Sequence, residues 1–172
     1  AVISTLPAPQ NLDLMKKFPI LKKTLETASY DACIALMFIF DEKPKNIPYF
    51  FEYNNQQGML SWMAAGSNLR FWTAQTKGDY SNKNINKDKI LLKDEIFQEI
   101  EKAIYQLEPN IKINFHSLHI WKYAKVTKVC SGPQIDPKFP IVVAGDFMEG
   151  ANIESAFSSG EKAAELILER LH

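Results

Sequence analysis

The segment best suited to binding a ligand lies in the last third of the sequence. An apolar run ends in Gly145 and Asp146, and a short loop then leads into a long amphipathic stretch. In an α/β protein, ligands bind where a strand ends and the next helix begins. The first amides of a helix lack partners and carry partial positive charge, so they can hold a phosphate group or the negative charge that develops on a reduced cofactor ring. The Asp146 carboxylate suits a sugar hydroxyl.

An isolated Gly-Asp pair is typical of an ordinary turn, but the longer string is more specific. It reads Ile-Val-Val-Ala-Gly-Asp over residues 141–146 and Glu-Gly-Ala-Asn-Ile-Glu-Ser-Ala-Phe-Ser-Ser-Gly-Glu-Lys-Ala-Ala over residues 149–164. This string resembles the C-terminal flavin-binding signature of the FAD-dependent amine oxidases, especially of their renalase-like branch. Ser155 stands where that family usually has glycine.

The resemblance implies roles for residues at the strand end and the helix start. It implies that Asp146 binds the ribityl or pyrophosphate region of FAD, and that the backbone of Ile153 faces the flavin pyrimidine. Asn152 and Glu154 are expected to flank that contact. The full set of expected cofactor-binding residues is Gly145, Asp146, Gly150, Asn152, Ile153 and Glu154.

Two further segments resemble the same family. Residues 4–10, Ser-Thr-Leu-Pro-Ala-Pro-Gln, are similar to the strand and turn by which the family's chain leaves its FAD domain. Residues 121–124, Trp-Lys-Tyr-Ala, are similar to its Trp-Arg-Tyr-Ala segment, which returns toward the flavin. Trp121 and Tyr123 share one face of a predicted strand, so they could line a flavin or substrate pocket or, without the resemblance, pack in a core.

The nucleotide-binding fingerprint of this family does not occur in the sequence. The chain has 7 glycines, and they do not form the G-x-G-x-x-G pattern that cradles a pyrophosphate. The sequence also begins without methionine and opens directly into a β-branched run. We therefore expect the chain to be a fragment whose partner is a missing N-terminal FAD-binding half. Alone, it is expected to bind FAD weakly or not at all.

The spacing of apolar residues predicts an α+β fold. Residues 2–6 are interpreted as a short buried strand, and residues 11–28 as two short helices joined at Pro19. Residues 30–41 are apolar on both faces, which predicts a central strand. Three short β-like runs follow and suggest an antiparallel meander, at residues 49–53, 58–65 and 69–76.

The second half of the chain begins with a polar stretch, residues 77–89, which we predict to be a solvated loop. A helix is expected over residues 94–107 and a strand over residues 113–126. An apolar strand at 139–146 then precedes a helix at 153–171. One stripe of that helix is predicted to face a neighbouring element, and consists of Ala156, Ser159, Gly160, Ala163, Ala164, Ile167, Leu168 and Leu171.

Together these elements predict a mostly antiparallel substrate-domain sheet with covering helices, plus the terminal strand and helix of a Rossmann-like FAD-binding domain. Residues 1–6 are expected to form a strand of the FAD domain, and residues 7–125 the substrate-binding domain. Residues 126–172 are expected to form the C-terminal strand and helix of the FAD domain.

Composition argues against several classes of function. Twenty basic and twenty acidic residues cancel, so no net charge attracts nucleic acid or an anionic membrane. No apolar segment approaches the roughly 20 residues of a membrane span. Cys33 and Cys130 are too few for a metal cluster and are interpreted as unrelated thiols in a reducing cytoplasm, although a single bridge between them stays open. His116 and His119, three apart on a strand, are expected on opposite faces and predict no shared metal.

We therefore expect the complete protein to be an FAD-dependent oxidoreductase that takes hydride from an amine or from a reduced dinucleotide-like substrate. This segment alone is expected to be inactive. In such an enzyme FAD supplies the chemistry, and the protein orients the substrate and stabilises the reduced ring. No catalytic acid or base is assigned. Two alternatives stay open: a non-catalytic ligand-binding or assembly module, and a relative of the carotenoid desaturases.

Overall fold

The computed structural model of the chain describes residues 1–53 and 58–171. In these residues the fold is α+β, as the sequence predicts, with eight strands and five α-helices. The chain forms two compact units. We call residues 1–30 and 125–171 the terminal unit, and residues 31–124 the central unit. Across the described ranges, no helix is long and apolar enough to cross a membrane.

A three-stranded sheet organises the terminal unit. Strand β1 (Val2–Ser4) runs parallel to β8 (Ile141–Val143), and Ser4 lies opposite Val143. Strand β7 (Gln134–Ile135) pairs antiparallel with the other edge of β8, which makes β8 the central strand. Because β1 and β8 are parallel, their carboxyl ends meet at the same edge of the sheet.

Helices cover both faces of this sheet. Helices α1 (Ala8–Leu14) and α2 (Pro19–Leu25) pack in one buried cluster with Val143. Helix α5 (Ile153–Leu171) packs in another cluster with Val142. Alternate residues of β8 therefore point into different layers, which explains why the whole strand is apolar.

A five-stranded sheet organises the central unit, in the order β3-β4-β5-β2-β6. Strands β3, β4, β5 and β2 pair antiparallel with their neighbours. The predicted meander and the predicted internal strand at residues 30–41 are thus confirmed. The strand bounds are Ser29–Phe40 for β2, Phe50–Glu52 for β3, Leu60–Ala65 for β4, Phe71–Thr76 for β5 and Ile113–Lys128 for β6.

Helix α4 (Lys89–Tyr105) covers one face of this sheet. Its buried stripe repeats every four residues, as expected for one face of a helix, and packs against alternate side chains of β2. The stripe consists of Leu92, Ile96, Ile100 and Ile104. The helix begins at Lys89 instead of residue 94, because the Asp88 carboxylate caps it within the polar stretch.

The prediction of a solvated loop at residues 77–89 is wrong. Residues Gly78–Asn84 form helix α3. Ser81 is fully buried, and its hydroxyl oxygen lies 2.6 Å from that of Thr76. Asn82 accepts a hydrogen bond from a backbone amide of β2 and donates one to a carboxylate of the same strand. Polar side chains can be buried here because each has a partner, which composition does not reveal.

The prediction of a buried first strand is also wrong. Strand β1 is an edge strand, and its side chains Val2 and Ile3 are exposed. The observed units differ from the predicted domain boundary at residue 7 as well, since residues 7–30 belong to the terminal unit. The apolar faces of α1 and α2 hold this segment there, because they pack in the cluster that also contains Phe147.

The predicted packing stripe of α5 is buried only in part. Ser159, Ala163 and Ile167 are buried, whereas Leu168 and Leu171 are exposed. The sheet under α5 has three short strands, the longest of which has three residues. The apolar surface of the helix is thus wider than the sheet that it covers.

Candidate ligand-binding groove

An open groove lies where β1 and β8 end and α5 begins. Its volume is about 490 Å³, which falls within the roughly 300–1,000 Å³ of small-molecule sites. Every residue that lines it belongs to the terminal unit. Most of the lining residues are small: Thr5, Ala144, Gly145, Asp146, Ala151, Asn152, Ile153, Ala156 and Gly160.

The backbone at Gly145 shapes one side of the groove. Its φ is 152°, a conformation that residues with a side chain rarely adopt. A Cβ atom at this position would stand 2.5 Å from Cε1 of Phe147. Phe147 belongs to a single 3-10 turn, Asp146–Met148, that directly follows Gly145. Only glycine therefore lets the strand lead into this turn without displacing it.

The first turn of α5 presents backbone donors. Asn152 caps the helix, because its side-chain oxygen accepts a hydrogen bond from the Ser155 amide at 2.7 Å. The amides of Ile153 and Glu154 come before the first intrahelical bond and have no partner within the helix. The Ile153 side chain is 84% exposed, so the start of the helix is open to a ligand.

The Asp146 carboxylate is available to accept hydrogen bonds from a ligand. Its backbone carbonyl closes the turn by accepting from the amides of Glu149 and Gly150, at 3.1 and 2.8 Å. In residues 1–53 and 58–171, no protein donor hydrogen-bonds to the carboxylate. An ionised carboxylate is an acceptor only, so its natural ligand partners are hydroxyl groups and other donors.

Four of the six predicted cofactor-binding residues line the groove, namely Gly145, Asp146, Asn152 and Ile153. Gly150 and Glu154 are not among the lining residues. Gly150 instead lies close to Ser155: a Cβ on Gly150 would stand 3.0 Å from the Ser155 hydroxyl oxygen. The absence of a side chain on Gly150 thus leaves room for the Ser155 hydroxyl.

Thr5 is a groove residue that the sequence analysis missed. It follows β1, and it reaches the groove because β1 pairs in parallel with β8, so that Thr5 and Ala144 continue side by side. Ala156 and Gly160, one helical turn apart, were predicted to pack against a neighbouring element. They line the groove instead. The sequence signal that could have indicated this part of the groove is the pair of small residues one helical turn apart.

Trp121 and Tyr123 lie on strand β6 of the central unit. Their exposed fractions are 54% and 39%. They alternate along the strand with Leu118 and Ile120, which pack against the buried cluster under α4. The two aromatic side chains therefore face away from α4. They lie on an accessible surface and not in that core.

The same surface carries further exposed apolar side chains. Met37 lies opposite Thr73 in the sheet, and Phe71 lies two residues before Thr73 on the same strand; both Met37 and Phe71 are exposed. Exposed apolar patches of this kind often mark a binding surface. We call this surface the aromatic face, defined by Met37, Phe50, Trp62, Phe71, Trp121 and Tyr123.

His116 and His119 pack on aromatic rings, and the two cysteines are free thiols. His116 packs on Phe97 of α4, with ring centroids 4.0 Å apart, whereas His119 packs on Trp121 at 4.3 Å. Their predicted orientation on opposite faces of β6 is confirmed. Both cysteines are free thiols, and burial raises the pKa of each. No cluster of His, Cys, Asp or Glu that could hold a metal ion occurs among the described residues.

No protein-family model matches the chain, and no curated protein matches it significantly.

Proposed function

We propose that this chain is the C-terminal part of an FAD-dependent oxidoreductase of the renalase-like amine-oxidase family, and that the groove holds part of the FAD. One observation carries the proposal: the groove lies at the shared carboxyl ends of β1 and β8 and at the start of α5. This position is the usual ligand site of a parallel α/β sheet. Residues 141–164, which resemble the family's flavin-binding signature, form the second of these strands and this helix start.

The groove residues suit the parts of FAD that the proposal assigns to them. The Asp146 carboxylate can accept hydrogen bonds from ribityl or ribose hydroxyls. The amides of Ile153 and Glu154, at the positive end of the helix dipole, can donate to a carbonyl that gains negative charge on reduction. The small side chains at Ala156 and Gly160 leave room for a ligand beside the helix backbone. When bound, FAD supplies the hydride acceptor.

We propose that the aromatic face contributes to the substrate surface. Exposed rings such as Trp121 and Tyr123 attract flat or apolar groups, and aromatic pairs are stabilising beyond the area that they bury. An amine or a reduced dinucleotide-like molecule offers such a group. The substrate class of the proposal is therefore one of these two, and the enzyme is expected to work in the cytoplasm.

We propose that a partner segment, the N-terminal FAD-binding half, carries the nucleotide-binding fingerprint. The free edge of β1 supports it, because the edges of parallel sheets are usually paired or covered. Helix α5 supports it too, since it exposes an apolar stripe on one side: Ile153, Phe157, Leu168 and Leu171. A further strand beside β1 would pair with its free edge. Without that segment the chain is expected to bind FAD weakly and to be inactive.

The test uses the protein encoded by the complete open reading frame that contains these residues. The purified protein should carry stoichiometric flavin, and anaerobic addition of an amine or a reduced nicotinamide should bleach it. Asp146→Ala should weaken FAD binding about tenfold or more, because a charged acceptor is lost. Glu161→Ala is the matched control, since this exposed acid on the same helix does not line the groove.

The possible results separate the parts of the proposal. A folded complete protein that takes up no FAD would overturn the assignment and favour a non-catalytic module. Flavin that neither substrate class bleaches would keep the cofactor site but remove the proposed substrates. Equal loss of FAD affinity in the two variants would mean that Asp146 has no specific role.

A further inference from the structure

Two rings on the aromatic face are in direct contact. The imidazole of His119 packs on the indole of Trp121, with ring centroids 4.3 Å apart and an interplanar angle of 57°. Both side chains are exposed. They lie on the same face of β6, because the side chains of a strand alternate between its two faces. The pair therefore combines an apolar ring with a polar ring on a surface that a ligand can reach.

The other face of β6 is covered. His116 packs on Phe97 of α4, and Leu118 and Ile120 pack against the buried cluster under that helix. Of the histidines in the described ranges, only His119 therefore presents its ring to the aromatic face. Its polar atoms lie among side chains that are mostly apolar.

The ring nitrogens of His119 are available to a ligand. In the described parts of the chain, no protein group forms a hydrogen bond with them. A neutral imidazole has one nitrogen that donates and one that accepts. It can therefore bind a polar group of either kind, whereas the indole of Trp121 attracts the flat part of the same molecule.

The contact between the two rings allows one molecule to touch both. A ring that packs on Trp121 has its centroid about 4.5–7 Å from that of the indole. The His119 ring lies at 4.3 Å from the same indole. A polar group at the edge of the bound ring can thus come within hydrogen-bond distance of an imidazole nitrogen, about 2.7–3.2 Å.

We propose, on the basis of the function proposed above, that His119 is a specificity-determining residue of the substrate surface. Its imidazole forms a hydrogen bond with the polar group of a substrate whose ring packs on Trp121. The favoured substrate is thus a planar ring that carries an amine, amide or carbonyl group.

The first test follows anaerobic flavin reduction in the complete protein at a series of substrate concentrations. This experiment separates the dissociation constant of the substrate from the limiting rate. The probes are benzylamine and NADH. His119→Phe keeps a ring beside Trp121 and removes both nitrogens. For the probe that reduces the wild type, we expect the dissociation constant to rise about threefold to tenfold, the usual effect of one hydrogen bond. The limiting rate should change less than about twofold.

The second test is a double-mutant cycle with Trp121→Ala. In that background His119→Phe should change the dissociation constant by less than about twofold, because the substrate ring is no longer held beside the imidazole. His119→Gln keeps a donor and an acceptor and should recover part of the lost affinity. A histidine that only supported the indole would give the reverse order, with phenylalanine retaining affinity and glutamine losing it. Asn114→Ala, an exposed polar change on the same strand, is the control and should alter neither constant.

These tests separate the inference from the function on which it rests. A complete wild-type protein that binds no FAD would overturn the proposed function itself. Bound flavin that neither probe reduces would overturn the inference and leave the FAD site in place. If Trp121→Ala weakens substrate binding but His119→Phe does not, the role of His119 is wrong and the substrate surface stands. An equal loss with and without the Trp121 ring also overturns the role.

Discussion

The amide of Gly145 donates a hydrogen bond to the hydroxyl of Ser159 at 2.7 Å, which ties the end of β8 to the middle of α5. Ser159 is fully buried, so water does not compete for its hydroxyl. The bond holds the strand end at a fixed place beside the helix, and Gly145 is itself part of the groove wall. The geometry of the groove thus depends on a buried serine that does not line it.

Ser159→Ala should lower the free energy of unfolding by about 1–3 kcal/mol, because a hydrogen bond is lost and the Gly145 amide is left without its partner. Denaturant unfolding followed by circular dichroism measures the change. Glu161→Ala is the control on the same helix, and it should change stability by less than about 0.5 kcal/mol, since Glu161 is exposed. Equal stability of wild type and both variants would contradict this role.

The glycines at positions 145 and 160 should respond in opposite ways to alanine. Gly145→Ala should cost about 1–3 kcal/mol or more, because φ is positive and the new Cβ would collide with the Phe147 ring. At Gly160 a Cβ meets nothing within 4 Å. Gly160→Ala should therefore stabilise the helix by about 0.5–1 kcal/mol. Melting temperatures of the two variants test this, and a stable Gly145→Ala protein would argue against the observed turn.

Asp88→Ala should remove the N-cap of α4. The Asp88 carboxylate accepts hydrogen bonds from the amides of Ile90 and Leu91, at 2.9 and 3.1 Å. Loss of such a cap costs about 0.5–2 kcal/mol. Asp88→Asn keeps a capping oxygen and should retain most of the stability in the same unfolding experiment. If the two variants lose stability equally, the carboxylate charge and not the cap is responsible.

The stability of the central unit should fall at acid pH because of His116. Its Nδ1 is buried and has no partner in the part of the chain that the structure describes. Burial lowers the pKa of His116, as does the charge of Lys93, while Asp94 and Glu101 oppose this effect. A histidine whose folded pKa lies below its unfolded value of about 6.5 is protonated more readily when unfolded. Unfolding therefore becomes easier as pH falls below about 6.5, and the effect levels off below the folded pKa.

His116→Gln should remove this part of the pH dependence. Denaturant unfolding at a series of pH values between about 5 and 8 gives the slope for each protein. His119→Gln, on the opposite face of β6, should keep the His116 contribution. An unchanged slope in His116→Gln would show that another group is responsible.

Trp121→Ala should raise the KM for the substrate of the complete enzyme and leave its flavin content unchanged. An aromatic contact contributes about 0.5–1.5 kcal/mol beyond the buried area, so a rise of up to about tenfold is expected. Trp121→Phe keeps a ring and should recover part of the effect. Ile90→Ala, an exposed change on α4, is the control for nonspecific effects on the central unit. Loss of flavin in Trp121→Ala would place this residue at the cofactor instead.

The sequence by itself determined most of the elements and part of the groove. Apolar spacing located the meander, the internal strand β2 and the helix α5, because these patterns are local and reflect the period of the backbone. Four of the predicted cofactor-binding residues, Gly145, Asp146, Asn152 and Ile153, line the groove because strand end, turn and helix start are contiguous in the chain. Prediction failed at α3, where Ser81 is buried against Thr76 and Asn82 has a hydrogen-bond partner 50 residues away in the sequence.

Only the tertiary structure decided which residues distant in sequence lie beside this contiguous strand end, turn and helix start. Thr5 reaches the groove through a strand pairing between residues about 140 positions apart. Tyr30 accepts a hydrogen bond from the Ala8 amide, 22 positions away, and packs against the apolar cluster that also contains Phe147. The spacing of these residues in the sequence does not predict such contacts. The contacts depend on how the apolar faces of separate elements pack, and packing is a property of the folded chain.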